Sequence, residues 1–336
     1  IIHEMLSQLF EIKKIDRNTK ILDPSCGGGY FLIESFKKIK NALKDEVSDR
    51  YIIENMLYGI DVDDFSIFLT KAGMLFAGCC SDVNFNIFAL DYLTDSFKLN
   101  KFDIVVGNPP YVGHKNTSAK YKKKLYKHYS EVFYNKADIS YCFFKKSKSV
   151  LKPDGVISFI TSRYFMEALY ADRIRAYLKN NFNIISLVDF SGNKVFKGAM
   201  VSPALITLSN KGRNKKSFLC VKYNGDNTKE EFLYRQEKLK CTGWTILRDE
   251  DEQLFNRIEA LSNTCIDALC TIRQGIITGL DKAFVVDEKT IEKYNIESNL
   301  LKKWIKNSSI SKSGIKYNKL YLIYTNMIDS EENYPN

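Results

Sequence analysis

The sequence has few of the residues that bind transition metals. Only three histidines occur among 336 residues, and the eight cysteines include no Cys-x-x-Cys pair. A structural zinc site needs about four such ligands at close spacing, so we expect no metal. Cysteines scattered through a long chain are typical of buried, reduced thiols, which predicts a cytoplasmic protein.

Long apolar runs are also missing. No stretch approaches the roughly 20 apolar residues that cross a bilayer, so we expect no membrane-spanning segment. The first residues, Ile1-Ile2-His3-Glu4, lack the basic start and apolar core of a signal peptide. The chain has no initiator Met, and we therefore expect its true amino terminus to lie elsewhere.

Acidic residues are the minority charge. The chain has 40 Asp and Glu against 50 Lys and Arg, which gives a formal net charge of +10. Such an excess favours a polyanionic partner, with nucleic acid first and an acidic membrane surface second. A basic protein that is merely soluble is the alternative.

Short apolar segments alternate with longer amphipathic ones over residues 20–208. The short segments predict seven strands, at residues 21–22, 57–60, 85–88, 102–106, 156–160, 184–188 and 204–208. Helical spacing of apolar residues fills most gaps, at residues 31–43, 64–76, 139–151 and 166–178. This alternation predicts an α/β fold with a mostly parallel, doubly wound sheet and helices on both faces.

A polar stretch at residues 210–240 ends this alternation, and a different pattern of apolar and polar residues begins at Cys241. We therefore predict a first domain over residues 1–240 and an incomplete second domain over residues 241–336. Ligands of doubly wound sheets bind at the carboxyl ends of the strands. The candidate site residues of the first domain follow such strand ends.

The first candidate is the segment Ile-Leu-Asp-Pro-Ser-Cys-Gly-Gly-Gly-Tyr-Phe-Leu at residues 21–32, a strand, a glycine-rich turn and a helix. Glycines let a ligand approach the backbone closely. Asp23 precedes the turn, where it can meet a cationic amino-acid group. A dinucleotide site is disfavoured because no Gly-x-Gly-x-x-Gly is present. The segment could also be a tight turn that binds no ligand.

Two further carboxylates follow predicted strands. Asp61 comes at the end of the second strand, where a ribose diol is commonly bound, although it could instead cap the helix that begins near Asp64. Asp91 follows the third strand, and its carboxylate could accept a hydrogen bond from an adenine amino group.

The fourth predicted strand ends in Gly107-Asn108-Pro109-Pro110-Tyr111. Two prolines fix the backbone and leave carbonyl groups free to accept. The Asn108 side-chain oxygen and the Pro109 carbonyl can each take one hydrogen of an adenine amino group, which aims the nitrogen lone pair at a methyl sulfonium. Tyr111 offers a flat face on which a base can stack, and the base must leave its duplex to reach it. A proline-rich turn with a packed tyrosine is the alternative.

These motifs occur in the order seen in the gamma-class DNA adenine-N6 methyltransferases, which include the methylase halves of type IIG restriction-modification enzymes. The chain is especially similar to the orphan, sporulation-linked adenine methyltransferases of clostridia, over residues 107–115 and 274–284. The resemblance covers roughly residues 1–330, and Asn-Pro-Pro-Tyr is its most specific part. Family members carry a Tyr-Thr-Pro-type element before the first helix and a longer recognition domain, so we expect truncation at both ends.

The resemblance implies a Rossmann-like class I methyltransferase fold and S-adenosylmethionine as cofactor. Residues 241–336 would begin a DNA target-recognition domain. Phe196 matches a family aromatic that packs on the flipped base, and a core phenylalanine is its alternative. The catalytic set is then Asn108, Pro109, Pro110, Tyr111 and Phe196. The cofactor set is Asp23, Pro24, Cys26, Gly27, Gly29, Phe31, Asp61, Val62, Asp91, Tyr92 and Asn108.

A basic stretch follows the Asn-Pro-Pro-Tyr segment. Eleven lysines lie between His114 and Pro153, against only Glu131 and Asp138. Lysines near a base-flipping pocket would neutralise phosphates, although a solvated helix face is the alternative. The predicted DNA-binding set is Lys115, Lys122, Lys123, Lys124 and Lys127.

The sequence therefore predicts a monomeric, site-specific DNA adenine-N6 methyltransferase of the bacterial cytoplasm, acting on double-stranded DNA. The enzymatic rival methylates another planar amine, such as a protein glutamine or an RNA base. The chain could also be the methylase part of a fused restriction-modification enzyme, or a DNA-binding fragment without catalytic activity.

Overall fold

A computed structural model describes residues 1–79, 81–96, 101–113, 117–191, 202–210, 216–224, 228–271, 273 and 275–328. The chain divides into two compact units, Ile1–Arg257 and Ile258–Asn336. The border predicted at residue 240 lies before this division. All candidate site residues belong to the first unit, and the recognition role of the second unit stays a prediction.

The first unit is built on one sheet, whose nine strands lie within the described residues in the order β3-β2-β1-β4-β5-β7-β6-β8-β9. Pairing is parallel from β3 through β5 and between β6 and β8, whereas β7 runs antiparallel to both of its neighbours. The strands are β1 (Ile21–Asp23), β2 (Leu57–Asp61), β3 (Asn86–Ala89), β4 (Phe102–Gly107), β5 (Leu151–Ser162), β6 (Phe182–Asp189), β7 (Pro203–Asn210), β8 (Ser217–Tyr223) and β9 (Lys229–Arg235).

All seven predicted strands are present, and the mostly parallel sheet is confirmed. The two additional strands, β8 and β9, form an antiparallel pair at one edge. These two strands were not predicted, because the polar composition of residues 210–240 indicated the end of the domain. Their burial is one-sided: Phe218 and Tyr234 are buried, while Leu233 is exposed.

Helices cover both faces of the sheet, as predicted. On one face Leu6, Phe36 and Met74 join one buried cluster, and on the other Phe144 and Leu178 join a second. The helices of this unit are α1 (Ile2–Ile12), α2 (Tyr30–Leu43), α3 (Asp49–Tyr51, continued by a π-helical turn over Ile52–Met56), α4 (Asp64–Gly78), α5 (Ala119–Tyr129), α6 (Ser140–Val150) and α7 (Asp172–Asn181), followed by α8 (Asp249–Leu261) at the border of the units.

The predicted helix over residues 166–178 is wrong in its first part. Short 3-10 turns occupy Arg163–Met166 and Leu169–Ala171, and α7 begins only at Asp172. The buried guanidinium of Arg175 explains the irregular backbone, because it donates to the carbonyl oxygens of Phe165 and Ala168, both at 2.9 Å. It also donates to the carbonyl of Cys241 at 2.7 Å, so the segment after β9 packs against α7 of the same unit.

The second unit is smaller. Its helices are α9 (Ile266–Leu269), α10 (Asp281–Phe284) and α11 (Glu288–Tyr294). One antiparallel sheet has the order β10-β14-β11, and a short hairpin pairs β12 with β13. The strands are β10 (Val285–Asp287), β11 (Leu301–Trp304), β12 (Ile310–Ser311), β13 (Gly314–Ile315) and β14 (Leu320–Ile323).

The prediction that the cysteines are buried is wrong for four of the seven described ones. Cys26, Cys142 and Cys220 are buried, whereas Cys79, Cys241, Cys265 and Cys270 are exposed. Among the described residues, no three His, Cys, Asp or Glu side chains form a group that could hold a metal ion. In the same part of the chain, no helix is long and apolar enough to cross a membrane.

Candidate functional site

The glycine-rich turn lies between the carboxyl end of β1 and the start of α2. The Cys26 amide donates to the Ile60 carbonyl at 2.9 Å, which fastens the turn to the neighbouring strand β2. Gly29 has a φ of +80°, and a Cβ atom there would lie 2.9 Å from Thr70 Oγ1 on α4. Thr70 in turn donates to the Gly27 carbonyl at 2.6 Å. Close packing and a left-handed backbone therefore both require glycine at position 29.

Asp61, at the end of β2, holds this turn from the other side. Its carboxylate accepts from the Gly27 amide at 2.9 Å and from the Asp63 amide at 3.1 Å. The cap of α4 is Asp63, which accepts from the Ser66 amide at 2.9 Å, so the alternative of Asp61 as the helix cap is wrong. A carboxylate has about four acceptor positions, and Asp61 therefore keeps about two for a ligand.

Asp23, the last residue of β1, is fully buried. Its Oδ1 accepts from the Ser25 amide at 3.1 Å, while Oδ2 is buried and has no hydrogen-bond partner among the described residues. Burial, with a smaller contribution from Asp61, raises the pKa of Asp23 from 3.8 to about 8. A buried carboxyl oxygen without a partner is costly unless something binds it, and a cationic ligand would restore the charged form.

Asp91 lies beyond β3 and already accepts several hydrogen bonds. Its carboxylate takes the Leu93 amide at 2.9 Å, the Thr94 hydroxyl at 2.6 Å and the Tyr121 hydroxyl at 3.1 Å. Its predicted contact with a cofactor adenine would use the remaining acceptor capacity. Tyr92 is buried, and its hydroxyl lies 3.1 Å from Ser147 Oγ, so its hydroxyl does not face this site.

The Asn-Pro-Pro-Tyr segment follows β4, the strand next to β1. Asn108 and Pro110 are exposed, Pro109 is buried and Tyr111 is half-buried. The Tyr111 hydroxyl donates to Asn108 Oδ1 at 2.5 Å, so the predicted acceptor is occupied in this state. The Ser25 hydroxyl donates to the Asn108 carbonyl at 3.3 Å. The glycine-rich turn and the Asn-Pro-Pro-Tyr segment thus lie next to each other at the carboxyl ends of the adjacent strands β1 and β4.

Gly107 allows the end of β4 to pack closely against Asp23 at the end of β1. A Cβ atom at position 107 would lie 2.6 Å from Asp23 Oδ1, so glycine is required where β4 passes the buried carboxyl. The sequence shows Gly107 only as part of the Asn-Pro-Pro-Tyr motif, because a linear pattern does not show which strand its backbone faces.

The other predicted cofactor residues are divided between surface and core. Val62 follows Asp61 and is 72% exposed, as a residue that contacts a ligand would be. Phe31 and Pro24 are buried, and Cys26 is buried within 3.9 Å of Thr70 Oγ1. Their side chains support the turn.

The predicted DNA-binding lysines lie mostly on α5. Ser118 caps this helix by accepting from the Tyr121 amide at 3.3 Å, and Leu125 and Tyr129 bury its inner face. Lys122 is half-buried, whereas Lys123, Lys124 and Lys127 are exposed. Lys115 and Phe196 lie outside the described residues.

The structure brings in one residue that the sequence analysis counted only as an opposing charge. Asp138 lies just before α6, and its negative charge, after burial, is the second cause that raises the pKa of Tyr111 above its ordinary range. The tyrosine therefore keeps its proton and stays a donor to Asn108. Only the tertiary structure brings Asp138 near enough to Tyr111 for its charge to act on the phenol.

Comparison with known proteins gives one family match and several relatives. Residues 55–196 match the model of the Eco57I restriction-modification methylase family. The chain is 24% identical to the type II methyltransferase M.BstVI of Geobacillus stearothermophilus, over 91% of the chain and 61% of that protein. It is also 24% identical to the type II restriction enzyme and methyltransferase RM.Eco57I of Escherichia coli, over 81% of the chain and 33% of that protein. The chain thus spans less than two thirds of either relative.

A solved structure of a Listeria monocytogenes protein, described as a class I S-adenosylmethionine-dependent methyltransferase, superposes with a TM-score of 0.53. The match has 17% identity and covers 68% of this chain and 64% of that one. The chain has the class I methyltransferase fold. In this fold Asp23, Asp61, Asp91 and Asn108 lie at or just after the carboxyl ends of β1, β2, β3 and β4, where ligands of doubly wound sheets bind.

Proposed function

We propose that this protein transfers a methyl group from S-adenosylmethionine directly to the N6 amino group of an adenine in DNA. The observation that carries the proposal is the contact between Ser25 Oγ and the Asn108 carbonyl, at 3.3 Å. It joins the turn that would hold the methyl donor to the segment that would hold the acceptor. Direct transfer requires these two groups to be neighbours, because the reacting atoms must come within about 3–3.5 Å.

The residues around the turn fit the cofactor. The partnerless Oδ2 of Asp23 would accept from the ammonium group of the methionine part. Asp61 would bind the ribose hydroxyls through its remaining acceptor positions. Exposed Val62 would pack on the cofactor adenine, with Asp91 accepting from its amino group. When bound, S-adenosylmethionine supplies a methyl group activated by a positive sulfonium.

The Asn-Pro-Pro-Tyr segment would hold the acceptor base. Asn108 Oδ1 and the Pro109 carbonyl would take the two N6 hydrogens, which moves the nitrogen toward tetrahedral geometry and directs its lone pair at the methyl carbon. Tyr111 would stack on the base, a contact typically worth about 1–3 kcal/mol. Transfer would break the methyl–sulfur bond as the methyl–nitrogen bond forms, and the N6 nitrogen, left with a positive charge, would release its proton to water.

The partner would be double-stranded DNA with the target base flipped out of the helix. The exposed lysines of α5 continue the chain from the Asn-Pro-Pro-Tyr segment, and Tyr121 of the same helix donates to Asp91. Lysines on this helix would neutralise the phosphates beside the flipped nucleotide. Lys115 and Phe196 keep their predicted roles, on DNA and on the flipped base.

A second candidate is the methylase part of a fused restriction-modification enzyme. The similarity to RM.Eco57I favours it, because that relative is both a restriction enzyme and a methyltransferase and the chain spans 33% of it. The chemistry at Asn108 would be the same in both cases.

Methyl transfer can be tested with tritiated S-adenosylmethionine and DNA, RNA and protein substrates. Digestion of the labelled DNA to nucleosides should release N6-methyl-2′-deoxyadenosine. Asn108→Ala is the matched control, since its side chain is exposed and its loss should leave the fold intact. Label in cytosine, RNA or protein instead of adenine would contradict the proposed substrate, and failure to bind the cofactor would contradict a catalytic role.

A further inference from the structure

A short irregular turn follows β5, the strand that pairs with β4. β5 runs parallel to β4, and Phe159 is the register partner of Gly107, so both strands end on the same side of the sheet. β5 continues to Ser162, and the chain then forms the β5–α7 turn (residues 163–171) before α7 begins. This turn therefore lies at the strand ends beside the Asn-Pro-Pro-Tyr segment.

Ion pairs and backbone hydrogen bonds hold the first half of the β5–α7 turn. Arg163 Nε donates to both carboxylate oxygens of Asp189 at 3.0 Å, and Arg163 Nη2 lies 2.7 Å from Glu167 Oε1. The Tyr164 amide donates to Ser162 Oγ at 3.3 Å, and the Tyr164 carbonyl accepts from the Glu167 amide at 3.1 Å. The backbone of Tyr164 is therefore fixed on both of its sides.

A buried arginine holds the same turn from inside the protein. Arg175 of α7 is 1% exposed, and its Nη1 donates to the carbonyls of Phe165 and Ala168, both at 2.9 Å. A buried guanidinium is costly unless its donors are hydrogen-bonded, so these bonds restrict the backbone of the turn. Phe165 also packs edge-on against Trp244, with ring centroids 5.3 Å apart. The exposed side chains of the turn are thus carried on a restrained backbone.

Two large side chains of the β5–α7 turn are exposed. Tyr164 is 59% exposed and Leu169 is 76% exposed, whereas Phe165 and Met166 between them are buried. A tyrosine can bind a partner at low cost in conformational entropy, because it has only two side-chain torsions to fix. Tyr164, on its restrained backbone, is therefore suited to stack on a flat group.

The charges around the turn favour an anionic partner. Lys136, before α6, is exposed, and its Nζ lies 5.9 Å from the ring centroid of Tyr170 in the turn. The neighbouring acids are already engaged: Glu167 pairs with Arg163, and Asp172 accepts from a tyrosine hydroxyl at 2.5 Å. The whole chain has a net charge of +10. A nucleic acid offers both the flat groups and the negative charge that this surface would bind.

We propose that Tyr164 stacks on the DNA duplex beside the flipped adenine and so stabilises the flipped state. The inference rests on the proposed function, which brings DNA to Asn108. Flipping removes the stacking partner of the neighbouring bases, and a side chain that packs there offsets part of that cost. Stacking of one base on an aromatic ring changes affinity by about 5- to 100-fold, so loss of the ring should reduce flipping by a similar factor.

The probe is a duplex that the protein selects by binding from a mixed-sequence pool, with 2-aminopurine replacing each adenine in turn. The fluorescence of 2-aminopurine rises when the base leaves the stack, so it reports flipping without any methyl transfer. Tyr164→Ala removes the ring, and Tyr164→Phe keeps the ring without its hydroxyl. Phe76→Ala is the matched control, because Phe76 is 85% exposed in the last turn of α4, which runs back to the amino ends of the strands.

At saturating protein, we expect Tyr164→Ala to lower the ratio of flipped to stacked base by about 5- to 100-fold, and kcat/KM for methylation by a similar factor. Tyr164→Phe and Phe76→Ala should stay within a few-fold of the unsubstituted protein, and all three variants should keep its melting temperature and its Kd for S-adenosylmethionine. A mismatched base opposite the target lowers the cost of unpairing. The target is then mostly flipped in every protein, so the loss in Tyr164→Ala should shrink to a few-fold.

An unchanged fluorescence signal in Tyr164→Ala would overturn the inference. An equal loss with the paired and the mismatched duplex would do so too, as would a loss in Tyr164→Phe as large as in Tyr164→Ala, or failure of the protein to select any duplex. If the selected duplex is flipped but no methyl group is transferred, the proposed function fails. The fluorescence of the variants then still decides the role of Tyr164.

Discussion

Replacing Asp23 with Asn should stabilise the protein without cofactor and, at the same time, weaken cofactor binding. The carboxyl is fully buried, and its Oδ2 has no partner in the described part of the chain. An amide of the same shape keeps the acceptor for the Ser25 amide but cannot ionise. Residues that destabilise the folded protein but bind a ligand are expected at functional sites.

The size of the effect follows from the raised pKa. The carboxyl titrates near 3.8 when unperturbed and near 8 in the folded protein. Between these values the folded state binds more protons than the unfolded state, so the free energy of unfolding falls as the pH rises. Each pH unit in this window lowers the free energy of unfolding by about 1.4 kcal/mol. At pH 7 the buried Asp23 carboxyl therefore destabilises the fold by at most about 4 kcal/mol. In the variant, the buried amide hydrogens without partners cost about 1–3 kcal/mol, which offsets part of this gain in stability.

Urea denaturation of both proteins at several pH values between 5 and 8.5 measures this directly. The unsubstituted protein should lose more stability than Asp23→Asn as the pH rises, and the variant should bind S-adenosylmethionine more weakly by calorimetry. Asp154→Asn is a matched control, because the Asp154 carboxylate pairs with Lys13 and its pKa is lowered. Parallel curves of stability against pH for Asp23→Asn and the unsubstituted protein would refute the assignment of a neutral, strained Asp23.

Three further predictions concern the proposed activity. Asn108→Ala should lower turnover by about 100- to 1,000-fold while DNA affinity changes only a few-fold, and retention of more than about a tenth of the turnover would contradict its role. Asp61→Ala should weaken cofactor binding by about 1.5–3 kcal/mol, since both the ribose contact and the Gly27 anchor are removed; calorimetry would show an unchanged Kd if Asp61 had neither role. Replacing Lys122, Lys123 and Lys124 with Gln should reduce the slope of log affinity against log salt by about 0.9 for each phosphate that is no longer neutralised, and identical slopes would place these lysines away from DNA.

The alternation of apolar segments predicted the sheet because burial of each strand depends mainly on its own residues. The same reasoning failed near residue 166, where Arg175 takes the carbonyls that a helix would use. It also missed β8 and β9, since an edge strand is buried on one side only and its neighbours are polar. Both errors have one cause. The backbone groups at these positions find their hydrogen-bond partners outside the local segment, in the Arg175 side chain or in a neighbouring strand.

The sequence by itself determined the order of the motifs, the mostly parallel sheet and the residues that could carry methyl transfer. It did so because glycine, proline and carboxylates have local consequences for backbone shape and charge. Only the tertiary structure decided that Asp63 rather than Asp61 caps α4, that Asp23 is buried against Gly107, and that the Ile139 amide donates to the Val112 carbonyl. Burial and charge coupling depend on which strand ends become neighbours, and residues as far apart as 23 and 107 become neighbours only when the chain folds.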